Sequence, residues 1–166
     1  MSSTIRKMLF FGLLCHLGLL VTVPLPAQER REIERLRLEE YQPKTSDEAA
    51  IVSLLIRFEG AFNSHDLQRT TSFFAPDATY MPCGNAYAKY PVASKECQDF
   101  IKRNFGWFGF EKYYDPSISV TGDRAVVTLF AETRTFFANY TFLLMRTVRG
   151  WRVLETSYAD DRAKGG

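Results

Sequence analysis

The chain of 166 residues predicts an α+β domain in which helices pack on a mostly antiparallel sheet. Three observations carry that reading. Strand-length runs crowd Asp123 to Tyr158, helical periodicities precede them, and 14 Phe with 8 Tyr supply the large rings that pleated, half-buried surfaces favour. A hydrophobic share of 46% excludes a disordered composition, and the length suits one domain with short extensions.

Each element follows in order. Arg6 and Lys7, an apolar run from Met8 to Val23, and Pro24-Leu25-Pro26-Ala27 form the pattern of an export signal over residues 1–27. The apolar run is shorter than the roughly 20 residues of a spanning helix, so the protein is expected to be secreted or periplasmic and to meet a membrane only if this segment stays uncleaved. Residues 28–44 alternate charge and read as a solvated linker or short helix, the alternative being that Ile33, Leu36 and Tyr41 dock on a partner. The domain spans 45–160, with 161–166 as a disordered tail.

Thr45 and Glu48 have capping-box spacing, and Ile51, Leu54, Leu55, Phe58, Ala61 and Phe62 make one apolar stripe. Asp66 caps a short second helix carrying Leu67, Phe73 and Phe74 up to Pro76, and a short strand from Ala78 to Met81 follows. Ser94 caps a third helix with Cys97, Phe100, Ile101 and Phe105 on one face, ended by Gly106. Strands follow from Ile118, with turns expected at Gly122-Asp123, Ala138-Asn139 and Arg149-Gly150.

This order, with the stretches AFNSHDLQRTTSFFAPDATY and RTVRGWRVLETSY and the strand Val126-Val127-Thr128-Leu129, resembles the NTF2-like superfamily, which includes SnoaL-like and ketosteroid isomerase-like proteins. The resemblance implies a cystatin-like cone, three N-terminal helices on a strongly curved sheet. It implies no particular chemistry, because the superfamily mixes enzymes, binding modules and oligomerisation domains. Dimers formed sheet to sheet are common in it, so a homodimer is expected.

Charge and cysteine content narrow the function. The chain has 21 Lys and Arg against 19 Asp and Glu; removing Arg6 and Lys7 with the signal leaves 19 of each, without the basic excess that nucleic-acid binding needs. Cys83 and Cys97 then remain, either bridged in an oxidising compartment or with Cys97 as a small buried hydrophobe. No spacing suggests a metal, and none a cofactor.

Two-residue turns at Ala138-Asn139 and Arg149-Gly150 place Thr133, Phe137, Tyr140, Arg146, Val148 and Glu155 on the concave face. Arg146 and Glu155 are its charges; they either form a structural pair or meet a small apolar ligand bearing a carboxylate or carbonyl, with Tyr140, Thr133 and Tyr80 as hydrogen-bonding neighbours. A bulge in the strand from Arg124 to Phe137 would place Glu132 and Arg134 in the pocket instead. For isomerase, cyclase or dehydratase chemistry the candidate bases are Glu155, weakened by Arg146, and His65, which otherwise serves a solvated turn. Ligand binding is the favoured function, with such an enzyme or a dimerising scaffold as alternatives. Mass spectrometry of the exported protein is expected to find a chain beginning after Ala27; an intact N-terminus would contradict export by cleavage.

Overall fold

The computed structural model describes residues 34–80 and 90–163, and within them an α+β domain. Helices α1 (Ser46–Asn63), α2 (Leu67–Ser72) and α3 (Lys95–Phe108) accompany strands β1 (Phe74–Tyr80), β2 (Tyr90–Pro91), β3 (Glu111–Thr121), β4 (Arg124–Thr133), β5 (Phe136–Thr147) and β6 (Gly150–Ala163). They form one sheet of order β2-β1-β6-β5-β4-β3, antiparallel except where β1 runs beside β6.

The helix starts follow the sequence. Thr45, Asp66 and Ser94 each accept a backbone N–H from three residues on, satisfying a donor that the first helical turn leaves unpaired. Ile51, Val52, Leu54, Leu55, Phe58, Ala61 and Phe62 of α1 are buried, as are Cys97, Ile101, Phe105 and Phe108 of α3. They pack on Val127, Leu129 and Ala131 of β4, Ala138, Phe142 and Leu144 of β5, and Trp151 and Val153 of β6 in a single core. Phe58 holds Phe73, Phe74 and Phe142 edge to face, with centroids 5.7–6.1 Å apart.

Several boundaries differ from the sequence expectation, each for a local reason. Phe74 belongs to β1, and α2 ends at Ser72: the Phe73 carbonyl accepts the Val153 N–H at 3.0 Å, which recruits the chain to the sheet. Pro76 lies where the β1–β6 register shifts, so its missing N–H interrupts no ladder bond there. Gly106 sits within α3, which ends instead against Gly109 at φ 69°, a left-handed position suited to glycine. A Cβ at Gly109 would come within 3.1 Å of the Arg134 side chain, which itself donates to the Gly106 carbonyl at 2.8 Å.

The β4–β5 turn falls at Arg134-Thr135, not Ala138-Asn139. Thr133 is responsible: its hydroxyl oxygen accepts the N–H groups of Thr135 (3.2 Å) and Phe136 (3.0 Å), and the hydroxyl donates to the Phe136 carbonyl. Ala138 therefore faces the core opposite Ala131, while Phe137 stacks on Phe130 at 5.4 Å on the other face. The β5–β6 turn takes Val148 and Arg149, Thr147 pairing with Gly150 and Val148 standing fully exposed. β6 then carries an extra residue at Leu154: Leu144 pairs with Val153, but Leu143 pairs with Glu155. The bulge expected as a risk in β4 is found in β6, and β6 continues past residue 160 to Ala163, pairing there with Phe136.

Residues 35–41 dock on the domain and are not a solvated linker. Arg37 bridges to Tyr114, the Asp115 N–H donates to the Leu36 carbonyl at 2.8 Å, and the Leu36 N–H donates to the Asp115 carboxylate at 3.0 Å. This strap lies against β3, the last strand of the sheet, and occupies part of its free edge. Leu38 has no exposed surface, whereas Leu36 is 44% exposed. Leu38→Ala is expected to cost about 2–5 kcal/mol in chemical denaturation and Leu36→Ala less than about 0.5 kcal/mol; equal effects would mean that the strap is not docked in solution.

Candidate functional site

The expected charges do not meet. Arg146 is exposed beyond Leu144, bonds to the Asp47 carboxylate and lies 4.8 Å over the Trp151 ring. The Leu154 bulge turns Glu155 to the face opposite Val153, where it is half-buried beside Leu143. The Arg146–Glu155 pair read from the sequence is thus corrected by one extra residue in β6. His65 occupies the α1–α2 turn at φ 58°, exposed, stacked on Phe105 at 5.3 Å and with Nε2 3.4 Å from the Gly109 carbonyl. Thr133 is buried with its hydroxyl engaged in the turn. Tyr80 ends β1 in register with Thr156 and Tyr90. Cys97 is buried and disulfide-bonded; Cys83, its expected partner, lies outside the described residues.

Tyr140 is the expected residue that the interior does use. It is buried on β5, and its hydroxyl donates at 3.0 Å to Glu111 of β3. The other Glu111 oxygen accepts the Tyr113 hydroxyl at 2.5 Å. Period-two geometry sets this pair, because Glu111 and Tyr113 alternate with exposed Lys112 and point to the same face. Asn63, the last residue of α1, fixes the strand's start: its side chain donates to the Glu111 carbonyl at 2.8 Å and accepts the Glu111 N–H at 2.7 Å.

Glu59 adds a second buried carboxylate one turn before Asn63. It accepts the Tyr113 N–H at 3.1 Å and pairs with Arg37 of the strap at 3.1 Å, while Arg37 also bonds Glu39 at 2.8 Å. Tyr140 stacks on Phe142 (5.9 Å) and on Tyr158 (5.5 Å), and Tyr158 stacks in turn on Phe136 (5.9 Å). Asn104 Nδ2 of α3 and Thr156 Oγ1 of β6 are buried with no hydrogen-bond partner among the described residues, as are Arg37 Nη1 and Thr70 Oγ1. Unsatisfied buried polar atoms are uncommon in folded proteins, and each calls for a cause.

Burial governs the electrostatics. Desolvation pushes the Glu111 carboxyl up from 4.5 to about 7, against the opposing pull of the two tyrosine hydroxyls, and the nearby Glu59 charge pushes it further up. Glu59 is also raised, by burial first, with Arg37 pulling it back. Glu111 can therefore exchange a proton near neutrality, as general acid–base work requires. Among the described residues no group of three His, Cys, Asp or Glu gathers as a metal site.

These residues left different traces in the sequence. Glu59 sits among the apolar positions of α1, a charge inside a buried stripe. Glu111 and Tyr113 fall in an aromatic-rich stretch whose alternation marks a strand beginning earlier than Ile118. Asn104 lies on the buried face of α3, three residues after Ile101.

No family model matches the chain, and no curated protein matches it. Solved structures do. An NTF2-like protein of unknown function from Shewanella baltica superposes with a TM-score of 0.59 at 18% identity, covering 74% of this chain and 99% of its own. A protein of unknown function with a cystatin-like fold from Nostoc punctiforme gives 0.59 at 14% identity, covering 73% and 96%. An NTF2-like protein with a cystatin-like fold from Novosphingobium aromaticivorans gives 0.53 at 21%, covering 69% and 81%. The fold is therefore the NTF2-like, cystatin-like one that the sequence resembles; at these identities the likeness extends to fold alone.

The raised Glu111 value has a signed consequence. Between pH 4.5 and about 7 the unfolded chain releases this proton while the folded chain keeps it, so folding stability falls as pH rises through that window, by up to about 3 kcal/mol for this group. Denaturation midpoints of the parent protein are expected to decline across it, and Glu111→Gln to flatten the decline, any residual slope of the same sign coming from Glu59. Equal slopes in the two proteins would place the Glu111 titration at an ordinary value.

Proposed function

We infer that this protein is an exported binding module for a small, largely apolar molecule, held in the concave interior against Glu111, Tyr113 and Tyr140. The observation that carries this reading is the company the carboxyl keeps. A titratable group shared by two tyrosines stands in an aromatic interior, and Thr156, whose hydroxyl has no partner among the described residues, lies in register with Phe142 beside Tyr140. A set that mixes donors and acceptors within apolar walls is the usual make-up of a small-molecule site. It favours an uncharged carbonyl or hydroxyl on the ligand, since a ligand carboxylate would be buried there without a cation, Arg146 being engaged with Asp47 outside. The basic, apolar and small-residue pattern of residues 6–27 and the disulfide at Cys97 support an oxidising, exported setting.

A second reading rests on the Glu111 carboxyl near 7, matched to proton transfer at neutral pH: a cofactor-independent isomerase, cyclase or dehydratase with Glu111 as acid–base and a tyrosine as donor. A sheet-to-sheet homodimer fits either reading. Half-buried Leu143 pairs with Val126, which is 42% exposed, on the outer face, and a second copy would cover them.

Binding is tested with Nile red, an apolar dye bearing a carbonyl, alongside native mass spectrometry of the purified protein for a retained small molecule. Saturable dye fluorescence is expected, weakened about tenfold in Thr156→Val at an unchanged denaturation midpoint and likewise in Tyr140→Phe, whose midpoint falls with the loss of its bond to Glu111. Dye binding that is absent or indifferent to both substitutions, with no retained molecule, would leave the polar cluster a structural network.

A further inference from the structure

We propose that a hollow where α1, α2 and β6 meet is an oxyanion site, fitted to a phosphate-type group. The hollow, of about 250 Å3, is lined by Arg57, Arg69, Ser72, Phe73 and Arg152. Three arginines from α1, α2 and β6 line it together, and none of its lining residues is acidic. Elsewhere Arg35, Arg37, Arg124 and Arg146 each stand within 4 Å of a carboxylate, while the unpaired Arg103, Arg134 and Arg149 share no hollow with another arginine among the described residues. Among the described residues the three arginines of the hollow form no ion pair.

Their partial hydrogen bonding leaves donors free. Arg57 Nε donates to the Ser53 carbonyl at 3.1 Å and its guanidinium lies 5.8 Å from the Phe73 ring centroid, which orients the group over an aromatic floor. Arg152 Nη1 donates to the Trp151 carbonyl at 2.8 Å. Each arginine has five N–H donors, so these backbone contacts fix the groups while leaving most donors unused. Arg69 stands in the last turn of α2, where the helix dipole favours a cation; that accounts for Arg69 but not for Arg57 and Arg152 lining the same hollow. Three like charges around one hollow repel, and a bound anion reverses the sign of that interaction. Planar forks suit the paired oxygens of phosphate better than a single halide. Ser72 donates its hydroxyl to the Arg69 carbonyl at 2.7 Å, so recognition rests on the arginines.

The site shares no residue with the Glu111 cluster, so the two are tested apart. Inorganic phosphate is titrated into the parent protein, Arg57→Gln, Arg69→Gln and Glu111→Gln by isothermal calorimetry, with chloride at matched ionic strength as control and denaturation midpoints confirming the fold. Phosphate is expected to bind in preference to chloride, about tenfold more weakly in each arginine variant and unchanged in Glu111→Gln. Co-sedimentation with phosphatidylglycerol vesicles, lost in the same arginine variants, would support the site and place its anion on a lipid headgroup; its absence beside phosphate binding would place it on a soluble ligand. Phosphate no better bound than chloride, or bound equally by both arginine variants, would overturn the proposal.

Discussion

The interior is organised by one costly interaction, a carboxyl group placed in the core and held by two tyrosine hydroxyls from different strands. A bare carboxylate there would lose its hydration without return. Glu111 meets that cost in two ways, by accepting hydrogen bonds at 2.5 and 3.0 Å and by keeping its proton to about pH 7. The surrounding elements serve the same arrangement. Asn63 clamps the backbone of Glu111 to the end of α1, and Glu59 clamps that of Tyr113 one turn earlier. Position and protonation are thereby coupled, because the backbone that presents the carboxyl is held by a helix that brings a second carboxylate with it.

The strap extends this chain of dependence to the surface. Arg37 neutralises Glu59 and lies 4.9 Å over Tyr114, while Arg35 lies 3.6 Å over Phe130 and bonds Asp115 at 2.8 Å. Leu38, next to Arg37, is the strap's apolar anchor. Residues that read as a charged spacer are thus part of the domain, and their charges answer to specific partners on α1 and β3.

Much of the fold was legible because local chemistry agreed with it. The caps at Thr45, Asp66 and Ser94, the stripe of α1 and the glycine at position 122 (φ 60°) each specify an element without help from distant contacts. The site was less legible, since a face assignment depends on register. Thr133 drew the β4–β5 turn toward itself through its own hydroxyl, and the extra Leu154 inverted the rest of β6. Those two local events moved Phe137 and Glu155 off the concave face and brought Ala138 and Thr156 onto it. Tyr140 survived because it lies between the two irregularities. Glu111 was overlooked for a different reason: a carboxylate at the start of a strand reads as a surface residue unless the strand's alternation is followed back to it.

The protonation of Glu111 is the central physical claim, and it is directly observable. Carboxyl carbon NMR of selectively labelled protein, with Glu111→Gln to assign the resonance, is expected to show Glu111 titrating near pH 7, far from exposed glutamates. A midpoint near the ordinary 4.5 would contradict it, and with it the reading of the interior as a site built around a neutral, hydrogen-bonding carboxyl group.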